Sequence, residues 1–161
     1  MITATRNPIL PIFKFQDENE HLGALKVSLI RPTATFSGKE GDFTFFREKP
    51  FEGTYFLCSV GYSYLAQAHK PNGIGLKYEV EFGQEVYDLK PGELFYARLH
   101  LHYEVCKSDE LLGTVLRTTS LFKYLIDVKQ EFPAIVQIFF FWLSFRAWIG
   151  ERGWSLARVH P

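Results

Sequence analysis

The sequence predicts a mostly β protein: a closed antiparallel β-barrel of about 10–12 strands wrapped around one C-terminal hydrophobic helix. Before residue 132, short apolar or alternating runs are separated by turn residues every 8–12 positions, which is typical of a sandwich or barrel. Residues 132–149, FPAIVQIFFFWLSFRAWI, are then apolar around almost the whole circumference of a helix. Such a helix must be surrounded, and a sheet that closes around it leaves no open edge.

The ends of this helix carry recognisable signals. Pro133 suits the first helical position, where its missing N–H has no partner to lose. Gly150 suits the left-handed residue that ends a helix, and Arg146 would face the negative end of the dipole in the last turn. We therefore expect a central helix over 133–149 and a C-terminal tail over 151–161.

Two segments alternate with a period of two, as strands with one buried face do. They are Leu76–Phe82 and Phe95–Val105. All 161 residues are expected to form one domain, with residues 1–8 as a loose N-terminal arm. The strand positions expected to face the helix are Tyr78, Val80, Leu99, Leu101 and Tyr103.

Within the helix, Gln137 and Ser144 are seven residues apart and share one side. Because a buried polar group without a partner costs about 1–3 kcal/mol, both should form hydrogen bonds. The partners would come from inner strand positions, ordered water or, for Ser144, the preceding helical turn. Phe139, Phe140 and Trp142 occupy other directions and should be well buried.

Two alternatives use the same segment or the same barrel differently. Residues 132–149 could span a membrane in a tail-anchored protein, although 18 residues are at the lower limit and Gln137 and Arg146 disfavour insertion. A barrel could also carry a small apolar ligand, but the helix should already fill its lumen. A buried helix is the better interpretation.

Composition restricts the partners. Lys plus Arg and Asp plus Glu number 18 each, so the formal net charge is zero and nothing global favours nucleic acid. No secretory signal precedes the first strands, and Cys58 and Cys106 are expected to be free thiols at core positions. A cytoplasmic location follows from that expectation.

No catalytic constellation emerges, so we expect neither an enzyme nor a cofactor. His100 and His102 lie about 6.5–7 Å apart along one strand face and are the only weak candidates for metal ligands. Only Glu104 shares that face, so histidines without a metal are the better interpretation.

Three runs suggest a family. They are GTYFLCSVGYSYLAQAHKPNGIGLKYEVEFGQEVYDLKPG, YEVCKSDELLGTV and YLIDVKQEFPAIVQIFFFWLSFRAW. Together they resemble the tubby C-terminal, LURP-one and phospholipid-scramblase superfamily, over roughly Gly53–Trp148. In that superfamily a hydrophobic helix threads a closed antiparallel barrel of about twelve strands.

With no catalytic constellation, the leading hypothesis is a non-enzymatic binding or scaffold domain, and an internal helix predicts a monomer. Its partner would be an anionic membrane lipid, contacted peripherally, or another protein. The phosphoinositide-binding and calcium-binding positions of better-known members have no residue-by-residue match here. The basic residues that we consider as candidates for lipid phosphates are Lys77, Lys90, Arg98, Arg117 and Lys123.

Overall fold

The computed structural model describes residues 1–49, 53–61, 63–71, 75–93, 100–129 and 131–159, the last nine as backbone only. This part of the chain contains twelve strands followed by a C-terminal helix. The elements are β1 (Ile2–Arg6), β2 (Ile12–Asp17), β3 (Glu20–Val27), β4 (Thr33–Gly38), β5 (Gly41–Arg47), β6 (Tyr55–Ser59), β7 (Tyr64–His69), β8 (Tyr78–Phe82), β9 (Glu85–Pro91), β10 (His102–Lys107), β11 (Glu110–Arg117), β12 (Lys123–Val128) and α1 (Ala134–Val159).

Each strand pairs antiparallel with the next along the chain, and β12 pairs with β1 to close the barrel. The predicted architecture is therefore confirmed. Strand β10 begins at His102. Of the predicted strand Phe95–Val105, residues 100 and 101 precede β10, and β10 continues past Val105 to Lys107. Residues 94–99 lie outside the described part.

The expectation of a loose arm over residues 1–8 is wrong. Residues Ile2–Arg6 form β1, which pairs with β12 on one side and β2 on the other. Without β1 the barrel would have two open edges, which is unfavourable for the unpaired backbone groups. The segment offers only Ile2 and Ala4 as apolar alternating residues, too short a pattern to identify a strand.

Sequential pairing places alternate connections at opposite ends of the barrel. The short-hairpin end contains the connections β2–β3, β4–β5, β6–β7, β8–β9 and β10–β11, which have two to four residues. The long-loop end contains the other six connections. These are residues 7–11, 28–32, 48–54, 70–77, 92–101 and 118–122.

Helix α1 enters at the short-hairpin end and leaves at the long-loop end. Pro133 lies immediately before it, and its carbonyl accepts from the backbone N–H groups of Val136 and Gln137 at 3.0 and 3.2 Å. Residues 138–145 are all 0% exposed. These eight residues exceed two helical turns, so the barrel covers the helix in every direction. Among the predicted inner positions, Tyr78, Val80, Leu101 and Tyr103 are buried, and Leu99 lies outside the described part.

The helix does not end at Gly150 as predicted. It continues to Val159, so the expected tail over 151–161 is helical in its backbone as far as 159, and 160–161 lie outside the described residues. Gly150 is not among the residues with positive φ. A glycine within a helix costs only about 1 kcal/mol relative to alanine, and the continued hydrogen-bond ladder outweighs this cost. Arg146 consequently lies three turns before the end rather than in the last turn.

Aromatic side chains connect the helix to the sheet on two sides. The Phe141 ring lies 5.0 Å from Phe13 and 5.4 Å from Tyr124 between centroids. On the other side, the Trp142 ring lies 5.6 Å from Phe45 and 5.9 Å from Tyr55. The predicted burial of Phe139, Phe140 and Trp142 is confirmed, since all three are 0% exposed.

The two buried polar residues among the described helix side chains, Gln137 and Ser144, are both hydrogen-bonded. Ser144 Oγ donates to the carbonyl of Phe140 at 2.8 Å, as predicted for the preceding turn. Gln137 Nε2 donates to the carbonyl of Phe132 at 2.9 Å. Its partner is thus the chain just before the helix rather than an inner strand position.

The membrane-span alternative is not supported. Within the described chain, no helix combines the length and apolarity that a crossing would require. The apolar residues of α1 between positions 135 and 148 are instead buried inside the barrel.

One glycine in the sheet is required by a close approach of two strands. A Cβ at Gly113 of β11 would lie 2.3 Å from the carbonyl oxygen of Asp127 and 2.5 Å from Cα of Val128, both in β12. These contacts are with backbone atoms, so no side chain can move away to make room. Gly113 therefore allows β11 and β12 to pair at normal spacing.

Candidate functional site

The two ends of the barrel carry opposite charge. Each end comprises its connections and the strand residue on either side of each connection. The long-loop end also includes Arg146 of the helix. The described acidic residues at the long-loop end are Glu48 and Glu93. The basic ones are Arg6, Arg31, Arg47, Lys49, Lys70, Lys77, Arg117, Lys123 and Arg146.

The short-hairpin end shows the reverse. Its described acidic residues are Asp17, Glu18, Glu20, Glu40, Glu85, Asp109, Glu110 and Glu131. Its three lysines are each paired with a glutamate, in the pairs Lys39–Glu20, Lys107–Glu85 and Lys129–Glu110. The net charge of zero thus conceals a basic end and an acidic end.

Three strands end in an arginine on the inner face of the sheet. Their partners in the sheet register have buried side chains, and directly paired residues share a face. The pairs are Arg6 with Phe13, Arg47 with Tyr55, and Arg117 with Tyr124. These three arginines therefore lie at the mouth of the barrel where the helix leaves it.

A fourth arginine reaches the mouth from the helix. The Arg146 guanidinium donates to the carbonyl oxygens of Ser28 at 3.1 Å and Arg31 at 3.4 Å. Its partial burial lowers the pKa of Arg146 from its usual value. Arg146 thereby connects the helix to the β3–β4 loop.

Aromatic rings support several of these cations. Arg47 Cζ lies 4.8 Å from the centroid of the Tyr55 ring, and Arg117 Cζ lies 5.3 Å from that of Trp148. Lys70 Nζ lies 5.3 Å from the centroid of Tyr78. Such contacts contribute about 0.5–2 kcal/mol each and keep the charged groups at the mouth.

A cavity of about 160 Å³ opens beside Arg117. Arg117 Nη2 lies 3.1 Å from Nδ1 of His100, and because a guanidinium only donates, Nδ1 is the acceptor. Arg117 Nε is buried and has no acceptor among the described residues. The cavity is lined by His100, Leu101, His102, Leu116, Arg117, Thr118 and Thr119. Most of the cavity surface is apolar, Arg117 is the one charged residue in its lining and none is acidic, so the cavity favours an anion over a cation.

Gly92 makes room for the second histidine of this cavity. A Cβ at Gly92 would lie 2.3 Å from Cε1 and 2.4 Å from Nδ1 of His102. The backbone N–H of Gly92 also donates to the carbonyl of His102 at 3.0 Å. A larger residue at this position would displace the imidazole.

His100 and His102 lie beside a cation, Arg117, rather than beside further metal ligands in the described part of the chain. The described residues contain no group of three or more histidines, cysteines or acids that could hold a metal ion. The Nδ1 lone pair of His100 already accepts from a guanidinium, and that neighbouring positive charge opposes a second cation. The two histidines instead line the cavity beside Arg117.

The four described candidates for lipid phosphates fall at or next to the long-loop end, and only Arg117 among them lines the cavity. Lys77 is exposed and pairs with Asp88 at 3.0 Å, and Lys90 is the second-last residue of β9. Lys123 is the exposed first residue of β12, and Arg117 lines the cavity. Arg98 lies outside the described residues.

The sequence interpretation missed Arg6, Arg47 and Arg146. For the first two a signal exists, because each directly follows an alternating run, ITAT or FTFF, at a position that continues the inner face. No comparable signal identifies Arg146, whose role depends on a loop more than a hundred residues away.

The remaining features are less informative. Cys58 and Cys106 are buried free thiols whose pKa values are raised by that burial, which agrees with core positions. A second cavity, of about 270 Å³, lies at the acidic end beside the start of α1. The helix occupies the lumen that a carrier of apolar ligands would use.

Comparison of the chain with protein-family models, curated proteins and solved structures finds no match. The resemblance to the tubby-like and scramblase-like superfamily therefore stays a prediction from the sequence.

Proposed function

We propose that this protein is a non-enzymatic binding domain of the tubby-like barrel type that associates peripherally with anionic membrane lipids through its long-loop end. It acts as a monomer on the cytoplasmic side. The observation that carries the proposal is the separation of charge between the two ends of the barrel. The free thiols Cys58 and Cys106 favour a reducing location.

The electrostatics determine the orientation as well as the attraction. A lysine or arginine near an anionic leaflet contributes about 1 kcal/mol, and the field decays within a Debye length of about 8–10 Å. The basic end is thus attracted while the acidic end is kept away. The barrel would therefore face the membrane with its long-loop end.

The cavity beside Arg117 supplies a place for a headgroup phosphate. Its guanidinium offers a buried Nε–H without an acceptor among the described residues, and Thr119 adds a hydroxyl group. Charge-assisted hydrogen bonds of this kind are roughly twice as strong as neutral ones. The neighbouring loops place this cavity at the same end as the other cations.

The test is co-sedimentation with vesicles of phosphatidylcholine alone or mixed with phosphatidylserine, over a series of salt concentrations. We expect binding only to the mixed vesicles, and weaker binding as salt rises. The double variant Arg31→Glu/Lys123→Glu should lose most of this binding, since both side chains are exposed at the basic end.

The matched control is Lys39→Glu/Lys129→Glu, which makes the same change in charge at the acidic end. It should bind as the wild type does. Equal losses in both double variants would refute the proposed orientation. No binding to the mixed vesicles, or tighter binding to a short DNA duplex, would refute the proposed function.

A further inference from the structure

Six large hydrophobic side chains are exposed on three loops of the long-loop end. Ile9 is 89% and Ile30 94% exposed, values close to those of free side chains, and Leu121 is 66% exposed. The loops are residues 7–11, 28–32 and 118–122. They are consecutive around the barrel, because the strands pair in the order β11, β12, β1, β2, β3, β4. The six side chains, here called the apolar tips, are Ile9, Leu10, Leu29, Ile30, Leu121 and Phe122.

The three loops are closed in the same way. In each, the backbone N–H of the residue that opens the loop donates to the carbonyl of the residue five positions later, which starts the next strand. The distances are 2.8 Å from Asn7, 3.0 Å from Ser28 and 2.9 Å from Thr118. A shared closure at three sites indicates a fixed loop geometry rather than chance exposure.

The opening side chain also holds the inside of each loop. Asn7 Oδ1 accepts from the backbone N–H groups of Ile9 and Leu10 at 2.9 Å each. Ser28 Oγ accepts from the backbone N–H of Arg31 at 3.0 Å.

The third loop uses a threonine in the same role. Thr118 Oγ1 accepts from the backbone N–H of Ser120 at 3.1 Å and donates to the carbonyl of Lys123 at 3.1 Å. These polar groups are satisfied within the loops, so the tips are held outward by ordered backbone.

Further hydrogen bonds join the loops to their neighbours. The N–H of Arg6 donates to the carbonyl of Phe122 at 2.8 Å, which links the third loop to β1. The N–H of Val27 donates to the carbonyl of Pro11 at 2.8 Å, which links the first loop to β3. Arg146 holds the second loop against the helix. Each of the three loops that carry the apolar tips is therefore held in place by a neighbouring strand or by the helix.

Their charged surroundings indicate what covers them. Exposed Arg31 and Lys123 lie on or next to the loops, and Arg6 and Arg117 lie just behind them at the mouth. An anionic bilayer offers this combination, with hydrocarbon directly beneath a layer of phosphates. We propose that the three loops insert their apolar tips into the boundary between headgroups and acyl chains, with these cations at phosphate depth.

This inference rests on the proposed function and deepens it, because it adds an apolar contribution to the electrostatic one. Burying a Leu or Ile side chain contributes about 1.5–3 kcal/mol when complete. The chain also offers a matched control, since other exposed hydrophobic residues lie near the acidic end. They are Met1, Val60, Tyr64, Leu65, Val86 and Leu111.

The test compares two triple variants on phosphatidylcholine–phosphatidylserine vesicles at a salt concentration that weakens electrostatic binding. Ile9→Gln/Ile30→Gln/Leu121→Gln should lower the partition coefficient about tenfold or more. The control Val60→Gln/Val86→Gln/Leu111→Gln should leave it within about twofold of the wild type.

A second measurement reports depth directly and does not depend on the folding of the triple variant. An environment-sensitive dye is attached at Ile30→Cys or Val60→Cys in a background of Cys58→Ala and Cys106→Ala. On mixed vesicles the dye at position 30 should shift to the blue, and the dye at position 60 should not.

The outcomes separate the two proposals. If the wild type binds and Arg31→Glu/Lys123→Glu releases it, while the tip variant binds normally and the dye at position 30 stays in water, insertion is wrong and electrostatic docking stands. If the wild type does not bind at all, both fail. A dimer in solution that the tip variant abolishes would overturn insertion in favour of a second copy of the chain.

Discussion

Truncation of Phe141 to alanine should unfold this protein more readily than any change at its surface. Phe141 is 0% exposed, and its ring lies 5.0 Å from Phe13, 5.5 Å from Phe15, 5.4 Å from Tyr124 and 5.9 Å from Phe145 between centroids. Replacing a buried Phe by Ala costs about 3–5 kcal/mol, a total that includes the lost ring contacts, and four such contacts place Phe141 in the upper part of this range. We therefore expect a loss in the free energy of unfolding of about 4–5 kcal/mol.

Thermal and urea melts followed by circular dichroism measure this loss. For a chain of this size, 1 kcal/mol shifts the melting midpoint by about 2–4 °C, so Phe141→Ala should lower it by roughly 8–20 °C. The matched control is Phe122→Ala, since Phe122 is 37% exposed on a loop. It should cost no more than about 1.5 kcal/mol. Equal costs at the two positions would show that the helix is not the centre of the core.

Two further predictions concern backbone and pH. Gly113→Ala should destabilise the protein by about 1–3 kcal/mol because the added Cβ would meet the backbone of β12. Gly150→Ala should stabilise it by up to about 1 kcal/mol, since no atom lies within 4 Å of the added Cβ. Destabilisation by Gly150→Ala in denaturant melts would instead indicate the left-handed helix end that the sequence suggested. Burial, with smaller effects of Tyr55 and Tyr103, raises the pKa of Tyr78 well above its ordinary value of 10.0. The unfolded chain then releases this proton first, so the contribution of Tyr78 is complete below about pH 10 and is lost as pH rises above it. Urea melts between neutral and strongly alkaline pH should show a flatter decline for Tyr78→Phe, and an unchanged decline would contradict the assignment.

The sequence alone determined the architecture because its two signals have one joint solution. Residues 132–149 are apolar in all directions and need an enclosing surface, and alternating strands such as Tyr78–Phe82 supply one apolar face each. The exposed fractions of zero along residues 138–145 show that both requirements are met by the same contacts. Local patterns sufficed here because they state which side chains must leave water, and burial dominates folding.

Only the tertiary structure decided where the barrel closes and which residues share an end. Strand β1 exists because β12 and β2 need a partner between them. Its sequence, ITATR, is too short and too polar to be identified as a strand from the sequence alone. Gly150 remains helical because nothing at the barrel mouth stops the helix there. The basic end assembles Arg6, Arg47, Arg117 and Arg146 from positions up to 140 residues apart, since consecutive hairpins alternate between the two ends. Net charge and local spacing cannot encode that alternation, whereas the order of strand pairing does.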